Sequence, residues 1–310
     1  MSENYHIPVM LNECVEYLNI KKDGVYCDFT LGGGGHFWAI AEKLGEDGVA
    51  VGIDRDLTAV NRNSTLDARK HKCGIIVEHS SFSAFDGVLR KHNIDGVDGI
   101  LMDLGVSSHQ FDEGGRGFSY RSDAKLDMRM NRDDTKTAAD LINFESESEL
   151  TRILGDFGEV RNPQRMARTV VAARKSKPLE TTGELLAVLN SEYGHLDMGV
   201  LSKIFQAFRI AVNGELDELQ VALSKSLGYL RAGGRIVVMS YHSLEDRIVK
   251  NFLRDNARDC VCPRVLPKCV CGGNSAKIKV ITKKAVEASV DEVLHNRRAR
   301  SAKLRCGEKV

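Results

Sequence analysis

The chain has 310 residues, with 44 Lys+Arg against 43 Asp+Glu, a formal net charge of +1 and 42% hydrophobic residues. These values exclude a disordered or collagen-like chain and a uniformly basic coat for nucleic acid, and at about 100–200 residues per domain the length predicts two domains, or one with an insertion. No stretch reaches the roughly 18 apolar residues of a membrane span, and Met1 to Asn12 lacks the basic start and apolar run of a signal peptide, so a cytoplasmic protein with no membrane partner is expected.

Val25 to Leu31 reads as a first strand, ended by the glycine run Gly32 to Gly35. A helical pattern from His36 to Leu44 stops at Gly45, a C-cap signal. Val49 to Ile53 is a second strand ended by Asp54, Gly74 to Val77 a third and Gly99 to Leu104 a fourth, with helical stretches between them. Strands without polar alternation, spaced by helix-length connections, predict a parallel sheet covered on both faces.

From about Asp112 to Asn213 no strand pattern occurs. Turn chemistry at Gly114, Gly115 and Gly117 leads into helical patterns at Ala138 to Leu141, Glu147 to Phe157, Pro163 to Lys175, Thr182 to Leu189 and Val200 to Val212. Then follow a helix over Glu215 to Leu230, a strand over Arg235 to Ser240, a helix over Leu244 to Leu253 and a last strand over Lys277 to Thr282. The reading is an α/β sheet domain in two parts, 1–112 and 214–310, split by a helical insertion over 113–213, with a basic C-terminal tail.

In open parallel sheets a glycine turn after strand one lets backbone approach a cofactor closely, and a carboxylate ending strand two can accept both hydroxyls of a ribose. Gly32 to Gly35 and Asp54 hold those places, although a plain turn and a helix cap are the simpler readings of each alone. Phe37 stands where the dinucleotide fingerprint wants its third small residue, and no Gly-Lys-Ser/Thr follows for a P-loop. A nucleoside cofactor without a pyrophosphate relaxes these demands, and S-adenosylmethionine is one. Asp28, inside the first strand, could face its cationic methionine end or simply satisfy loop amides.

Two runs concentrate positive charge. Arg161 to Lys177 carries six basic residues and Arg297 to Arg305 five, neither with an acid. On a helix from Pro163, Arg165, Arg168 and Lys175 share a face; with Arg298 and Arg300 they are the candidate phosphate contacts, against the simpler reading of a solvated face. Cys260, Cys262, Cys269 and Cys271 match a metal site in number but not in spacing, because C-x-C makes a cramped pair. Reduced thiols with no metal are expected.

Several strings are distinctive. Asp103-Leu104-Gly105-Val106-Ser107-Ser108-His109-Gln110, Arg116-Gly117-Phe118-Ser119-Tyr120, Leu126-Asp127-Met128-Arg129-Met130, Ile204 to Asn213, Ser240 to Arg247 and Arg298 to Arg305 together resemble the bacterial 16S ribosomal RNA (cytosine-N4)-methyltransferases of the MraW family. The resemblance runs from the His6-Ile7-Pro8-Val9-Met10 start almost to the end, and departs at Ala124, where glycine is expected, and at Asn131, where aspartate is expected.

That resemblance implies a Rossmann-like S-adenosylmethionine-dependent methyltransferase sheet interrupted by an inserted all-helical domain. It implies S-adenosylmethionine as methyl donor and, as substrate, the N4 amine of a cytosine in the decoding region of 16S rRNA, within the small ribosomal subunit. Cofactor contacts carry over to Gly34, Gly35, His36, Asp54, Phe82, Asp103 and Gln110. A homodimer is a candidate assembly.

The reaction needs the exocyclic amine to shed a proton. Asp103, ending strand four, could accept a hydrogen bond from that amine or from the methionine amino group, and His242 could accept the proton or orient the base; a turn cap and a backbone-bonded histidine are the alternatives. The prolines and aromatic that many amino-methyltransferases carry at this point are missing from Asp103-Leu104-Gly105-Val106. Two other classes share parts of the pattern: a nicotinamide dehydrogenase, opposed by Phe37, and an RNA-binding assembly factor without turnover.

Overall fold

The computed structural model describes residues 8–66, 70–106, 115–260, 262, 268 and 270–310. They divide into two compact units, one of residues 1–105 with 216–310 and one of residues 106–215. No helix among the described residues is long and apolar enough to cross a membrane.

The first unit is an α/β sheet. Its strands are β1 (Val25–Asp28), β2 (Val49–Asp54), β3 (Gly74–His79), β4 (Val97–Asp103), β5 (Leu230–Ser240), β6 (Ile278–Val280), β7 (Val286–Glu287) and β8 (Lys303–Lys309). Their order is β3-β2-β1-β4-β5-β8-β6, with β7 paired to β8. The first five in that order are parallel, while β8 runs antiparallel to both β5 and β6.

Burial follows the strand period of two. Cys27, Val51, Ile53, Ile100, Met102, Ile236 and Val238 belong to one apolar cluster. Tyr26, Ala50, Leu101, Val237 and Met239 belong to another. Each face of the sheet is thus sealed, as an apolar parallel sheet requires. The first cluster includes Leu219, Ala222 and Leu223 from the helix Glu215–Tyr229, and Val249 and Leu253 from the helix Ser243–Asn256. The second includes Cys14 and Leu18 from the helix Leu11–Leu18, and Phe37, Ile40 and Ala41 from the helix Gly35–Lys43.

Two expectations need correction. Ile278–Val280 is not the last strand, and the C-terminal segment is not a tail: Lys303–Lys309 inserts as β8 between β5 and β6. Its charges hid it. Arg305 is only 9% exposed because Asp246 accepts from its Nε at 2.6 Å and its Nη2 at 3.2 Å. Glu308 accepts from Arg235 Nε at 2.9 Å across the β5–β8 pair.

The second unit is helical: Ala138–Phe144, Glu147–Arg152, Pro163–Arg174, Thr182–Tyr193 and Met198–Asn213. Thr137 and Thr181 start their helices with capping boxes, closed by Asp140 and Glu184, and Ser146 and Asp197 cap two others. The helices meet over Leu141, Leu150, Ile153, Met166, Leu185 and Phe208. Asn213, 3% exposed, donates to the Met128 carbonyl at 2.8 Å and accepts the Met130 N–H at 2.8 Å. One buried amide thereby pins the preceding irregular segment to the end of the last helix.

Candidate active site

β1 stops at Asp28, and the chain turns at once into the glycine run. Gly34 has a φ of +83°, a region unfavourable to any side chain, and a Cβ there would stand 2.0 Å from Asn63 Oδ1. A Cβ on Gly35 would meet Pro8 Cγ at 2.8 Å. The loop is tied to β2, because Asp54 Oδ2 accepts the Gly32 N–H at 2.7 Å while Oδ1 accepts that of Asp56 at 2.8 Å. Burial raises the Asp54 carboxyl to about 6 against the pull of those two amides. Each oxygen retains acceptor capacity for a further donor.

The ends of β1 and β4 are joined by a hydroxyl. Thr30 donates to Asp28 Oδ1 through its N–H at 3.0 Å and its Oγ1 at 3.2 Å, and that oxygen accepts the Asp103 N–H at 2.6 Å. Asp28 is 1% exposed, and burial brings its carboxyl up to about 6, partly offset by His36.

Asp103 is where charge converges. Tyr241 Oη donates to its Oδ1 at 2.6 Å, and His36 Nδ1 lies 3.7 Å from its Oδ2. His36 Nε2 is 3.0 Å from the Val9 carbonyl oxygen, which can only accept; that nitrogen carries the proton, and a neutral ring turns its Nδ1 lone pair toward Asp103. Burial lowers the His36 pKa, opposed by Asp28. Burial pushes Asp103 up to about 7, held down by the Tyr241 hydrogen bond and raised further by Glu245. A carboxylate with this proton affinity, at a strand end, can take or hold a proton at neutral pH.

His242 occupies the N-cap of the helix Ser243–Asn256, two residues beyond the end of β5 at Ser240. Its ring nitrogens are buried without a hydrogen-bond partner among the described residues; Nε2 lies 3.1 Å from Glu245 Oε1 but out of hydrogen-bond alignment. Phe82 opens a short turn after β3 and packs, partly buried, against the apolar cluster of the sheet. Gln110 lies outside the described residues. Tyr241 was missed as a site residue, although it stands inside the Ser240 to Arg247 string.

The basic runs are acid-free in sequence but not in space. Arg165 donates to Glu192 Oε1 at 2.7 Å and Arg168 to Glu147 Oε1 at 2.9 Å. Lys175 is exposed at the C-cap of its helix, where its backbone angles are still helical. Arg298 and Arg300 are exposed on the short turn Arg297–Ser301, whereas Arg305 is committed to Asp246.

Residues 3–310 match the MraW methylase family. The chain belongs to that family. It is similar to "Ribosomal RNA small subunit methyltransferase H" of Caldicellulosiruptor saccharolyticus, 46% identical over 308 residues that cover 98% of this chain and 99% of the relative. The protein of the same name from Heliobacterium modesticaldum is 45% identical over 318 residues, covering 99% of each.

Among solved structures, an rRNA methylase from Streptococcus thermophilus superposes with a TM-score of 0.42 at 11% identity, covering 99% of each chain. A Streptococcus mutans protein in complex with SAH gives 0.44 at 11% identity, covering 98% of this chain and all of that one. As a member of the MraW methylase family, the chain has S-adenosylmethionine as its cofactor.

The site's chemistry fits that group. Glycines keep the loop free of Cβ atoms, and three carboxylates, Asp28, Asp54 and Asp103, end adjacent strands.

Proposed function

We propose that this chain transfers a methyl group from S-adenosylmethionine to the N4 exocyclic amine of a cytosine in the decoding region of 16S rRNA, within the small ribosomal subunit, in the cytoplasm. Methylation of small-subunit rRNA rests on membership of the MraW methylase family and on the names of relatives at about 45% identity. The finer assignment, to a cytosine amine, is supported by one observation above all: the Asp103 carboxylate, raised to about 7, carries a Tyr241 donor on one oxygen and faces a histidine on the other.

In this reading Gly34 and Gly35 would let the backbone approach the cofactor, Asp54 would accept from its ribose hydroxyls, Phe82 would pack on its adenine, and Asp28 and Asp103 would meet its positive methionine end. The cofactor supplies an electrophilic methyl group. Asp103 accepts a hydrogen bond from the attacking amine and takes its proton, which the lone pair of His36 Nδ1 can share. Tyr241 steadies the carboxylate in its charged form. His242 orients the base, and Glu245 holds the start of its helix by accepting the Tyr241 N–H at 2.9 Å. Holding donor and acceptor in line supplies a large part of the rate. The cytosine has to leave its stack to reach such a site.

Incubation of the chain with isotopically labelled donor and unmodified small subunits, followed by nucleoside mass spectrometry, tests the proposal. Label in N4-methylcytidine is expected. Label in a ring-carbon methyl or a ribose methyl would overturn the assignment while leaving methyltransferase activity intact.

A further inference from the structure

Between the helix Ser243–Asn256 and β6 runs a long connection, residues 257–277. It is closed at its base, where Lys277 N–H donates to the Asn256 carbonyl at 2.8 Å and Ser275 N–H to that of Asp259 at 3.0 Å. Its described residues form no helix or strand, and a connection of this length is uncommon in a compact domain unless something organises it.

Three thiols meet inside it. The sulfurs of Cys260, Cys262 and Cys271 all lie within 4.8 Å of one another. Cys271 Sγ is 3.7 Å from Cys260 Sγ, far beyond the roughly 2.05 Å of a disulfide. That spacing has a chemical meaning. Four sulfurs placed tetrahedrally about zinc at about 2.3 Å stand about 3.8 Å apart. The Val270 N–H also points at Cys262 Sγ, at 3.4 Å. Amide donation to sulfur is the outer-shell contact that stabilises a metal-bound thiolate.

We propose that Cys260, Cys262 and Cys271 form a structural site for a thiophilic divalent cation, zinc, which clips the two arms of the 257–277 loop together. The C-x-C pair does not hold its thiols apart, because the sulfurs of Cys260, Cys262 and Cys271 already converge to within 4.8 Å. One arm contributes Cys260 and Cys262 and the other contributes Cys271, eleven residues after Cys260, so a metal there joins the two arms. A fourth cysteine, Cys269, lies outside the described residues and is assigned no position. Binding displaces the thiol protons, so affinity rises with pH. The site stands apart from Asp103 and the glycine loop in sequence, and its role is to organise the loop rather than to take part in methyl transfer.

The test uses the full chain purified under reducing conditions without chelator. Elemental analysis is expected to find about one zinc per chain, as a closed structural site requires. After chelator stripping, titration with cobalt(II) is expected to give sulfur-to-metal charge-transfer absorption and the intense visible bands of a tetrahedral thiolate site. Loss of an outer-shell contact alone costs roughly 10–100-fold in affinity, so Cys262→Ser and Cys271→Ser should each weaken zinc by at least about 100-fold. Cys73→Ser, outside the cluster, should not, and Cys269→Ser reports whether the fourth ligand is protein.

No zinc uptake and no cobalt charge-transfer band in the wild-type chain would overturn the proposal. So would full metal retention by the Cys262/Cys271 double variant, or a disulfide among these thiols in the reduced preparation. The metal analysis and the cobalt spectrum are read on the unaltered chain and do not depend on how the variants fold.

Discussion

Tyr241 Oη donates a 2.6 Å hydrogen bond to Asp103 Oδ1 between the ends of neighbouring parallel strands. β4 pairs Asp103 with Met239 of β5, so the tyrosine two residues farther on can reach back to the carboxylate. The bond favours the charged form of a group that burial otherwise lifts to about 7. Tyr241→Phe should raise it further. A hydrogen bond to a charged group contributes about 1.5–3 kcal/mol, and a pKa unit is about 1.36 kcal/mol, so the shift expected is about one to two units. Single-turnover methyl transfer, which rises as Asp103 ionises, should therefore climb through about pH 7 in the wild type and later in the variant, with a loss of about tenfold at pH 7 and partial recovery at high pH. An unshifted pH profile would exclude Asp103 as the ionising group.

Burial of Asp103 also bears on stability. Its folded-state pKa lies above the ordinary carboxylate value of 3.8, near 7, so the folded chain binds more protons than the unfolded one between those values. The contribution is present at acid pH and lost as pH rises through about 7. Asp103→Asn removes the ionisation. The melting temperature of the variant minus that of the wild type should become more positive from pH 5 to pH 8, measured without cofactor. A difference independent of pH would contradict the raised pKa.

Gly34→Ala places a methyl group 2.0 Å from Asn63 Oδ1 at a φ of +83°. Backbone strain of this kind costs about 1–3 kcal/mol, and the clash adds to it, so the loop has to move. Calorimetry should show donor affinity reduced about tenfold or more. Because the change is confined to a turn beyond the strand end, the variant is expected to remain folded by circular dichroism. Undiminished affinity would remove the glycine loop from the cofactor site.

The pairing of Arg165 and Arg168 with Glu192 and Glu147 makes a discriminating test of RNA contact. Exposed ion pairs contribute about 0–1 kcal/mol, so a phosphate can compete for either guanidinium. If both arginines contact phosphate, Arg165→Ala with Arg168→Ala should lower the slope of log affinity against log salt by about 1.4–1.8, while Glu147→Gln with Glu192→Gln should tighten binding. Slopes unchanged in both double variants would move the RNA surface elsewhere.

The order of strands, glycine turn and acidic strand ends was legible in the sequence. A glycine turn after the first strand, then strands ended by Asp54 and Asp103, announce a cofactor edge, although the apolar run to Leu31 placed Asp28 inside a strand that in fact stops there. What was not legible depends on partners distant in sequence. His36 opens a helix on paper, but its role comes from the carbonyl of Val9 and the carboxylate of Asp103. β8 reads as a charged tail until Asp246 and Arg235 are seen to take up Arg305 and Glu308. The run around Arg165 loses its apparent charge excess for the same reason. Charge patterns are local in sequence, whereas their neutralisation is tertiary.

β4 ends at Asp103 and its neighbour β5 begins at Leu230, with the whole 106–215 unit threaded between them. The middle of the sheet therefore forms only when two distant stretches of chain meet. The entropic cost of closing a flexible loop grows with its length, and contacts this far apart in sequence slow folding. Residues 106–215 have a core of their own, whose collapse ahead of β5 docking would shorten the effective tether. Mutations that loosen this interior are then expected to slow refolding, read by stopped-flow fluorescence, without touching Asp103 or Tyr241.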